Sequence, residues 1–195
     1  TALLMSSCGA DKYLKRGEKS LALGEYYDAV DYFKQAYQKT EPKERATRGR
    51  IARKMAYCYD KSLQSAKAVV AYRNAIRYHE DLAQDHLELA RLLMKSGDYK
   101  GAAKEYEVVL DSLPDNAQAK AGLEAARKAP EIKQLGSRYT VKRMDVLNGR
   151  RADYSPALLG DNADEIYFTS TRKEAEGDDV SGITGMKPGD LFHPS

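Results

Sequence analysis

The sequence predicts a mainly α fold, a solenoid of helical hairpins followed by a short β-stranded segment. The helical prediction rests first on residues 87–114, where two amphipathic helices flank a glycine-containing break at 95–98. It rests also on recurrence, because an alanine followed four positions later by an aromatic residue occurs three times along the chain. The β prediction rests on composition, because alanine gives way to β-branched and aromatic residues near Pro130.

The composition is that of an ordinary globular protein. Of the 195 residues, 42% are hydrophobic and 31% are charged, and the formal net charge is +3. This charge is too small to indicate a polyanionic partner, and no apolar run is long enough to span a membrane. Cys8 and Cys58 are the two cysteines. No disulfide framework is therefore predicted, and Cys58 is expected to be a small buried residue.

The first ten residues, TALLMSSCGA, resemble the end of a bacterial lipoprotein signal peptide. A short apolar run precedes two small serines and then Cys8, and small residues before the thiol give a signal peptidase access to the bond. The resemblance implies that Cys8 carries lipid and anchors the mature protein. Residues 1–10 are therefore assigned to a signal remnant and lipid-anchor region. The alternative is a disordered tail with an incidental cysteine.

Residues 11–128 are predicted to form three helical hairpins and a capping helix. The recurring pairs are Ala29 with Phe33, Ala68 with Tyr72, and Ala102 with Tyr106. The last two alanines are 34 positions apart and the first two are 39 apart, so five extra residues are assigned to a loop at 41–48. This spacing and the residues around it resemble the tetratricopeptide repeat. The resemblance implies stacked hairpins, each of which needs its neighbours to bury its apolar face.

The turns inside the hairpins differ in sequence. Gly97 can supply the backbone freedom that a tight turn needs in the third hairpin, and the break of the first hairpin at 23–25 contains Gly24. The turn at 61–65 lacks glycine, and we expect it to be looser or to extend the helices. After Pro114, an alanine-rich stretch opened by residues 115–116 predicts the capping helix.

Residues 129–137 are predicted to be a linker and residues 138–195 a stranded segment. The expected strands lie at 139–147, around Pro156, at 166–169 and at 190–192, with a turn at 160–162. The sequences DYSPA, EIYFTSTR and DLF resemble a blade of the TolB-like, PD40-type β-propellers. The resemblance implies that the segment begins a β-propeller, and that the chain is the N-terminal fragment of a longer protein.

The order of these parts resembles a group of bacterial outer-membrane lipoproteins. In that group the propeller is followed by an OmpA-like, peptidoglycan-binding domain, and one member belongs to the type IX secretion machinery. The resemblance implies a non-enzymatic scaffold on the periplasmic face of the outer membrane. Its expected partners are envelope or secretion proteins, with peptidoglycan bound only through the C-terminal domain. The alternative is the recognition part of an envelope enzyme whose catalytic domain lies outside this sequence.

No pattern typical of a catalytic, metal or cofactor site is present in the sequence. His79, His86 and His193 lack an HExxH or Cys-His companion, and His86 falls at a core position of its repeat. Neither a phosphate-binding glycine loop nor a calcium loop occurs. We therefore predict no enzyme activity and no cofactor. Without base-stacking motifs, we also predict no nucleic-acid partner.

The repeat resemblance implies a binding groove lined by the first helix of each unit. The first unit would contribute Leu14, Glu18 and Leu21. The second and third units would contribute Arg50, Arg53, Tyr57, Lys61, Leu87, Arg91, Met94 and Lys95. Their five cations predict a partner segment with acidic and apolar side chains, although they could also be ordinary solvated surface. The asparagine-containing carboxylate clamp of cochaperones is not reproduced, because Lys54 and Tyr57 occupy its asparagine positions.

Overall fold

The computed structural model describes residues 3–78, 82–161 and 164–193, and it describes residues 3–8 by their backbone alone. The chain divides into a helical unit, residues 1–136, and a stranded unit, residues 137–195. The helices are α1 (Leu3–Ala22), α2 (Tyr26–Lys39), α3 (Arg45–Lys61), α4 (Ser65–Arg77), α5 (Ala83–Ser96), α6 (Tyr99–Ser112) and α7 (Ala117–Leu135). The strands are β1 (Asp153–Leu159), β2 (Glu165–Ser170) and β3 (Asp190–Phe192).

The helices of the first unit form three consecutive hairpins. Helix α1 packs against α2, α3 against α4 and α5 against α6, while α2–α3 and α4–α5 contacts join successive hairpins. Helix α7 covers α6, as predicted for a capping helix. No strand occurs in the described part of residues 11–127, so the predicted mainly helical fold is confirmed for this unit.

The core of the helical unit is built from the recurring alanine and aromatic pairs. All three alanines and Phe33 are fully buried, and Tyr72 and Tyr106 are buried. A side chain as small as alanine lets paired helices approach closely, and the ring four positions later fills the space beside it. At Gly17 the approach is closer still, because a Cβ placed there would lie 2.6 Å from the Phe33 ring. The recurring alanine and aromatic positions therefore mark the helix faces that pack against each other.

The three hairpin turns have the same closure, including the one without glycine. Gly24, Leu63 and Gly97 have φ angles of +77°, +62° and +83°. In the middle turn the backbone amide of Gln64 donates a hydrogen bond to the Tyr59 carbonyl at 2.8 Å, and equivalent backbone hydrogen bonds close the other two turns. The expectation of a looser second turn is therefore wrong. The packing of α3 against α4 holds Leu63 in a left-handed conformation that leucine disfavours.

Helix α7 is longer than the sequence predicted. Its first turn is capped by Asn116, whose side-chain oxygen accepts a hydrogen bond from the Ala119 amide at 2.9 Å. The helix then continues through Pro130 to Leu135, so most of the segment predicted as a linker, 129–137, is helical. A proline inside a helix removes one backbone hydrogen bond but does not always end the helix.

The stranded unit is a three-stranded antiparallel sheet in the order β1–β2–β3. The strands predicted around Pro156, at 166–169 and at 190–192 are present. The strand predicted at 139–147 is absent: this stretch is irregular and ends in a turn at 145–147. Alternation alone does not make a strand, because a strand needs a neighbour to satisfy its backbone, and none of the described strands pairs here. The sheet is small and open.

Arg172 organises the interior of the stranded unit. Its guanidinium lies over the rings of Phe168 and Phe192, with centroid distances of 4.7 and 5.0 Å. It donates hydrogen bonds to the Leu147 carbonyl at 2.9 Å and to the Asp153 carboxylate at 3.0 Å. One arginine thus ties the segment before β1 to β1 itself and to the rings of β2 and β3.

Candidate functional site

A groove in the helical unit contains two adjacent cavities. The first, here called the apolar cavity, has a volume of about 320 Å³ and is lined by Leu21, Arg53, Lys54, Tyr57, Tyr72, Leu82, Gln84, Asp85 and Glu88. The second, here called the charged cavity, has a volume of about 360 Å³ and is lined by Tyr57, Asp60, Lys61, Leu63, Tyr72, Glu88, Arg91 and Lys95. Most of these residues come from α3 and α5, the first helices of two successive hairpins.

Two tyrosines, together with Glu88, line both cavities and form the wall that they share. Tyr57 projects from α3 and is 42% exposed, and its ring meets that of Tyr26 edge-on at 6.0 Å between centroids. Tyr72 projects from α4 and is buried. Burial raises the pKa of Tyr72, and the nearby carboxylates of Glu88 and Asp85 raise it further, so its hydroxyl stays neutral. The groove therefore has an aromatic centre, with Tyr57 as its accessible part.

Arg53 is bound to an acidic residue of the next hairpin. Its Nε donates to the Asp85 carboxylate at 2.7 Å, and the same oxygen accepts the Leu82 amide at 2.8 Å. The Asp85 side chain is only 5% exposed, so it needs both partners to offset the loss of water. Arg53 thus joins α3 to the start of α5, and its charge is already neutralised.

Arg91 is neutralised in a similar way. It forms ion pairs with Asp60 of α3 and, at 2.9 Å, with Glu88 of its own helix. Partial burial works against the charged guanidinium, but the hydrogen bond to Glu88 and the charge of Asp60 outweigh it, and the pKa of Arg91 is raised. This second link between α3 and α5 lies nearer the C-terminal ends of the two helices than the first.

Lys61 and Lys95 differ from the two arginines. The ammonium of Lys61 lies 5.4 Å from the centroid of the Tyr57 ring, and that of Lys95 donates to the Ser65 hydroxyl at 3.2 Å. Both lysines are exposed. Within the described ranges, neither has a carboxylate as an ion-pair partner. These two cations are therefore available to an anion that enters the charged cavity.

The structure brings together five of the eight predicted groove residues. Those that line a cavity are Arg53, Tyr57, Lys61, Arg91 and Lys95. Arg50 lines neither cavity and donates to the Thr47 hydroxyl at 3.2 Å. Of the residues suggested from the first hairpin, Leu21 lines the apolar cavity, Leu14 packs on the core, and Glu18 pairs with Lys54 at 2.5 Å.

Leu87 and Met94, also predicted for the groove, line neither cavity. Leu87 is buried in the core, which contradicts its predicted place in the groove, and Met94 is half-buried and packs against the core. On α5 the cavity-lining positions are 84, 85, 88, 91 and 95, and all of them except 85 form one row along the helix. At 100° per residue, Leu87 and Met94 lie roughly 80° around the helix from that row. The prediction also missed Asp60, Asp85 and Glu88, although the spacing of Glu88 from Arg91 would have indicated a shared face.

Other candidate residues have structural roles. His86 is buried, and its Nδ1 lies 2.6 Å from the Glu105 carboxylate, which links α5 to α6. Cys58 is also buried, as predicted, and this burial raises its pKa to about 12. No cluster of three or more potential metal ligands was found among the residues that the structure describes. Over the same residues, no helix has the length and apolarity needed to cross a membrane.

Comparison with known proteins identifies the helical fold. No family model and no curated protein matches the sequence. Among solved structures, the Sgt2 TPR domain from Aspergillus fumigatus matches 72% of this chain and 91% of its own, with 24% identity and a TM-score of 0.52. The first TPR domain of human RPAP3 matches 66% of this chain and 98% of its own, with 19% identity and a TM-score of 0.52.

A third solved structure contains a bound peptide. It is the first TPR of Spaghetti (RPAP3) with the HSP90 peptide SRMEEVD, which matches 64% of this chain and 95% of its own, with 20% identity and a TM-score of 0.54. TPR stands for the tetratricopeptide repeat. At these identities the likeness concerns the fold, and it supports the tetratricopeptide-like array of helical hairpins.

Proposed function

We propose that this chain is a non-enzymatic scaffold whose helical unit binds an extended segment of a partner protein in the groove between α3 and α5. The observation that carries the proposal is Tyr57, an exposed aromatic side chain on the wall between two cavities. Exposed tyrosines beside an apolar cavity are frequent centres of binding energy in protein interfaces. The tetratricopeptide-like fold supports the same function, because its hairpin arrays form extended binding surfaces.

The groove proposal is tested by blocking the cavities. We expect the full chain to capture its partner from envelope extract, and Tyr57→Arg to reduce capture at least about tenfold, because a long cation would fill the shared wall. Val108→Arg is the matched control, since Val108 is an equally accessible apolar residue on α6 that lines neither cavity. Undiminished capture by folded Tyr57→Arg protein would place the binding surface elsewhere.

We also propose that the protein is a lipoprotein of the outer membrane, facing the periplasm, with lipid on Cys8. The support is the apolar and small-residue pattern before this cysteine. Cells that express the precursor should incorporate a fatty-acid analogue into the protein. The label should be lost in Cys8→Ala and retained in Cys58→Ala, whose thiol is buried in the core. Labelling that persists in Cys8→Ala would contradict the anchor.

The finer biological role is proposed from the order of the parts. The stranded unit would be the first blade of a PD40-type β-propeller, and the protein would continue into an OmpA-like domain that binds peptidoglycan. Such a protein would serve assembly or anchoring in a type IX-like secretion machinery. The support is the blade-like sequence of the three strands. The complete reading frame is the test: an OmpA-like domain agrees with the role, whereas a hydrolase domain would contradict it.

A further inference from the structure

We infer that the groove selects a partner segment with two features: a bulky apolar side chain that enters the apolar cavity, and an acidic side chain about two to three residues away that lies between Lys61 and Lys95. This inference rests on the proposed function and adds the chemistry of the ligand. It follows from the charges that remain unpaired in each cavity and from the distance between the cavities.

The apolar cavity offers little to a charged ligand. Its walls include Leu21, Leu82 and the rings of Tyr57 and Tyr72. The charged residues that also line it are already paired: Arg53 with Asp85, Lys54 with Glu18 and Glu88 with Arg91. An anion placed there would have to compete with an existing carboxylate for Arg53 or Lys54, and an unpaired buried carboxylate is costly. A hydrocarbon side chain meets no such cost and gains by leaving water.

The charged cavity has the opposite character. Its lining contains three cations, Lys61, Arg91 and Lys95, and two carboxylates, Asp60 and Glu88, so the net charge is +1. Arg91 holds both carboxylates. The excess positive charge therefore lies on the two lysines, which stand on opposite helices of the groove. A carboxylate between them would gain attraction from both without displacing an existing ion pair.

The spacing of the two features follows from helix geometry. Along α3 and α5, the residues that line the charged cavity lie about five positions beyond those that line the apolar cavity. With a rise of 1.5 Å per residue, the cavities are roughly 8 Å apart. An extended chain advances about 3.3 Å per residue, so about two to three residues separate the two side chains. A helical ligand would need about five.

Fluorescent synthetic peptides of about ten residues test this inference on the full chain. In a glycine-serine background with an amidated C-terminus, the reference peptide carries a phenylalanine and, three positions away, two aspartates, and it is made in both orders. One analogue replaces the phenylalanine by serine, and another replaces the aspartates by asparagines. We expect each analogue to bind about tenfold more weakly at low ionic strength.

Substitution of the lysines tests whether Lys61 and Lys95 bind the acidic side chains of the peptide. In Lys61→Gln/Lys95→Gln, the reference peptide should fall to the affinity of its asparagine analogue, while the analogue itself is unaffected. Lys100→Gln/Lys104→Gln is the matched control, because these exposed lysines of α6 line neither cavity. Equal binding of the aspartate and asparagine peptides to the native chain would overturn the inference, as would an equal effect of the lysine substitutions on both.

The result can be separated from a failure of the proposed function. If partner capture depends on Tyr57 but the acidic peptide has no advantage, the groove binds a partner and the two-feature inference is wrong. If Tyr57→Arg changes neither partner capture nor peptide binding, the groove is not the binding site, and both the proposed function and the inference are overturned.

Discussion

Among single residues, Leu63 shows most directly how packing can override a local preference. It occupies the left-handed position that glycine occupies in the other two hairpin turns, with a φ of +62°. Leucine in this conformation is strained by about 1 kcal/mol, because its Cβ approaches the following backbone. The turn nevertheless closes with the same backbone hydrogen bond as the glycine turns. The strain is therefore offset by the packing of α3 on α4.

Replacing Leu63 by glycine should stabilise the helical unit. The change removes the left-handed strain and uncovers little, since Leu63 is 67% exposed; we expect a gain of about 0.5 to 1 kcal/mol in the free energy of unfolding. The matched control is Leu23→Gly, which is 64% exposed and precedes the left-handed Gly24 in the first turn. There glycine only adds backbone freedom, so stability should fall. Urea titration followed by circular dichroism measures the free energy of unfolding of both variants. A loss of stability in both would contradict the proposed strain at Leu63.

The arginines and the lysines of the groove differ in the groups that their side chains contact. Arg53 and Arg91 are held by carboxylates, whereas Lys61 contacts a ring and Lys95 a hydroxyl. All four carry the same charge, so their difference depends only on their neighbours. A substitution at Arg53 or Arg91 would therefore disturb the fold as well as any ligand, and the lysines are the better probes of binding.

Between elements, the joint of the second and third hairpins depends on polar contacts. Arg53 of α3 binds Asp85, which also caps the first turn of α5, and Arg91 of α5 binds Asp60 of α3. These pairs connect helices that are not neighbours in the sequence. They set the spacing of the groove walls, because the residues between them line the two cavities.

Removing Arg53 should loosen this joint. In Arg53→Gln the nearly buried carboxylate of Asp85 loses its charged partner, and we expect a loss of about 1 to 3 kcal/mol in the free energy of unfolding. Arg73→Gln is the control: Arg73 of α4 meets Asp98 at 4.0 Å with both side chains largely exposed, and it should cost less than about 0.5 kcal/mol. Thermal unfolding compares the two variants with the native chain. Equal melting temperatures of Arg53→Gln and Arg73→Gln would rule out a stabilising role for Arg53.

In the molecule as a whole, the two units are stabilised differently. The helical unit has a continuous apolar core made of alanine, leucine and aromatic side chains. The stranded unit has few buried apolar residues, and its interior depends on Arg172 and the groups that Arg172 contacts. A unit of this second kind depends strongly on the charge states of its polar groups.

Acid should therefore destabilise the stranded unit through Asp153. The hydrogen bond from Ser170 is the main cause of the lowered pKa of Asp153, with further contributions from the Gly149 amide and Arg172. A lowered carboxylate pKa gives stability that is present above the unfolded value, about 3.9, and is lost as pH falls through the folded value. We expect the NMR signals of β1–β3 to lose dispersion below about pH 4.

The variant Asp153→Asn identifies the group responsible. Asparagine cannot lose a proton in this range, so the strands should be less stable at neutral pH and less dependent on pH below 4. Asp178→Asn serves as the control, because its carboxylate is fully exposed where it pairs with Lys187. If Asp153→Asn retained the acid response of the native chain, another group would have to cause it.

The sequence by itself determined the repeat architecture of this protein. The recurrence at Ala68 and Ala102, the glycines at two turns and the aromatic residues fixed the hairpins, because these features act over one helix turn or one hairpin. The three strands were also predictable from local alternation and turn residues. Five of the eight predicted groove positions line the cavities for the same reason, since a repeat carries its face assignments with it.

The tertiary structure alone decided the rest. The closure of the Leu63 turn, the helix through Pro130 and the absent strand at 139–147 each depend on packing partners, or the lack of them, outside the local sequence. The same is true of the charge of the groove. Asp60 and Arg91 are 31 positions apart, and only the stacking of α3 beside α5 brings them together. Spacing along a chain specifies which residues share a face, but the neighbour that neutralises a charge is specified by how the faces meet in space.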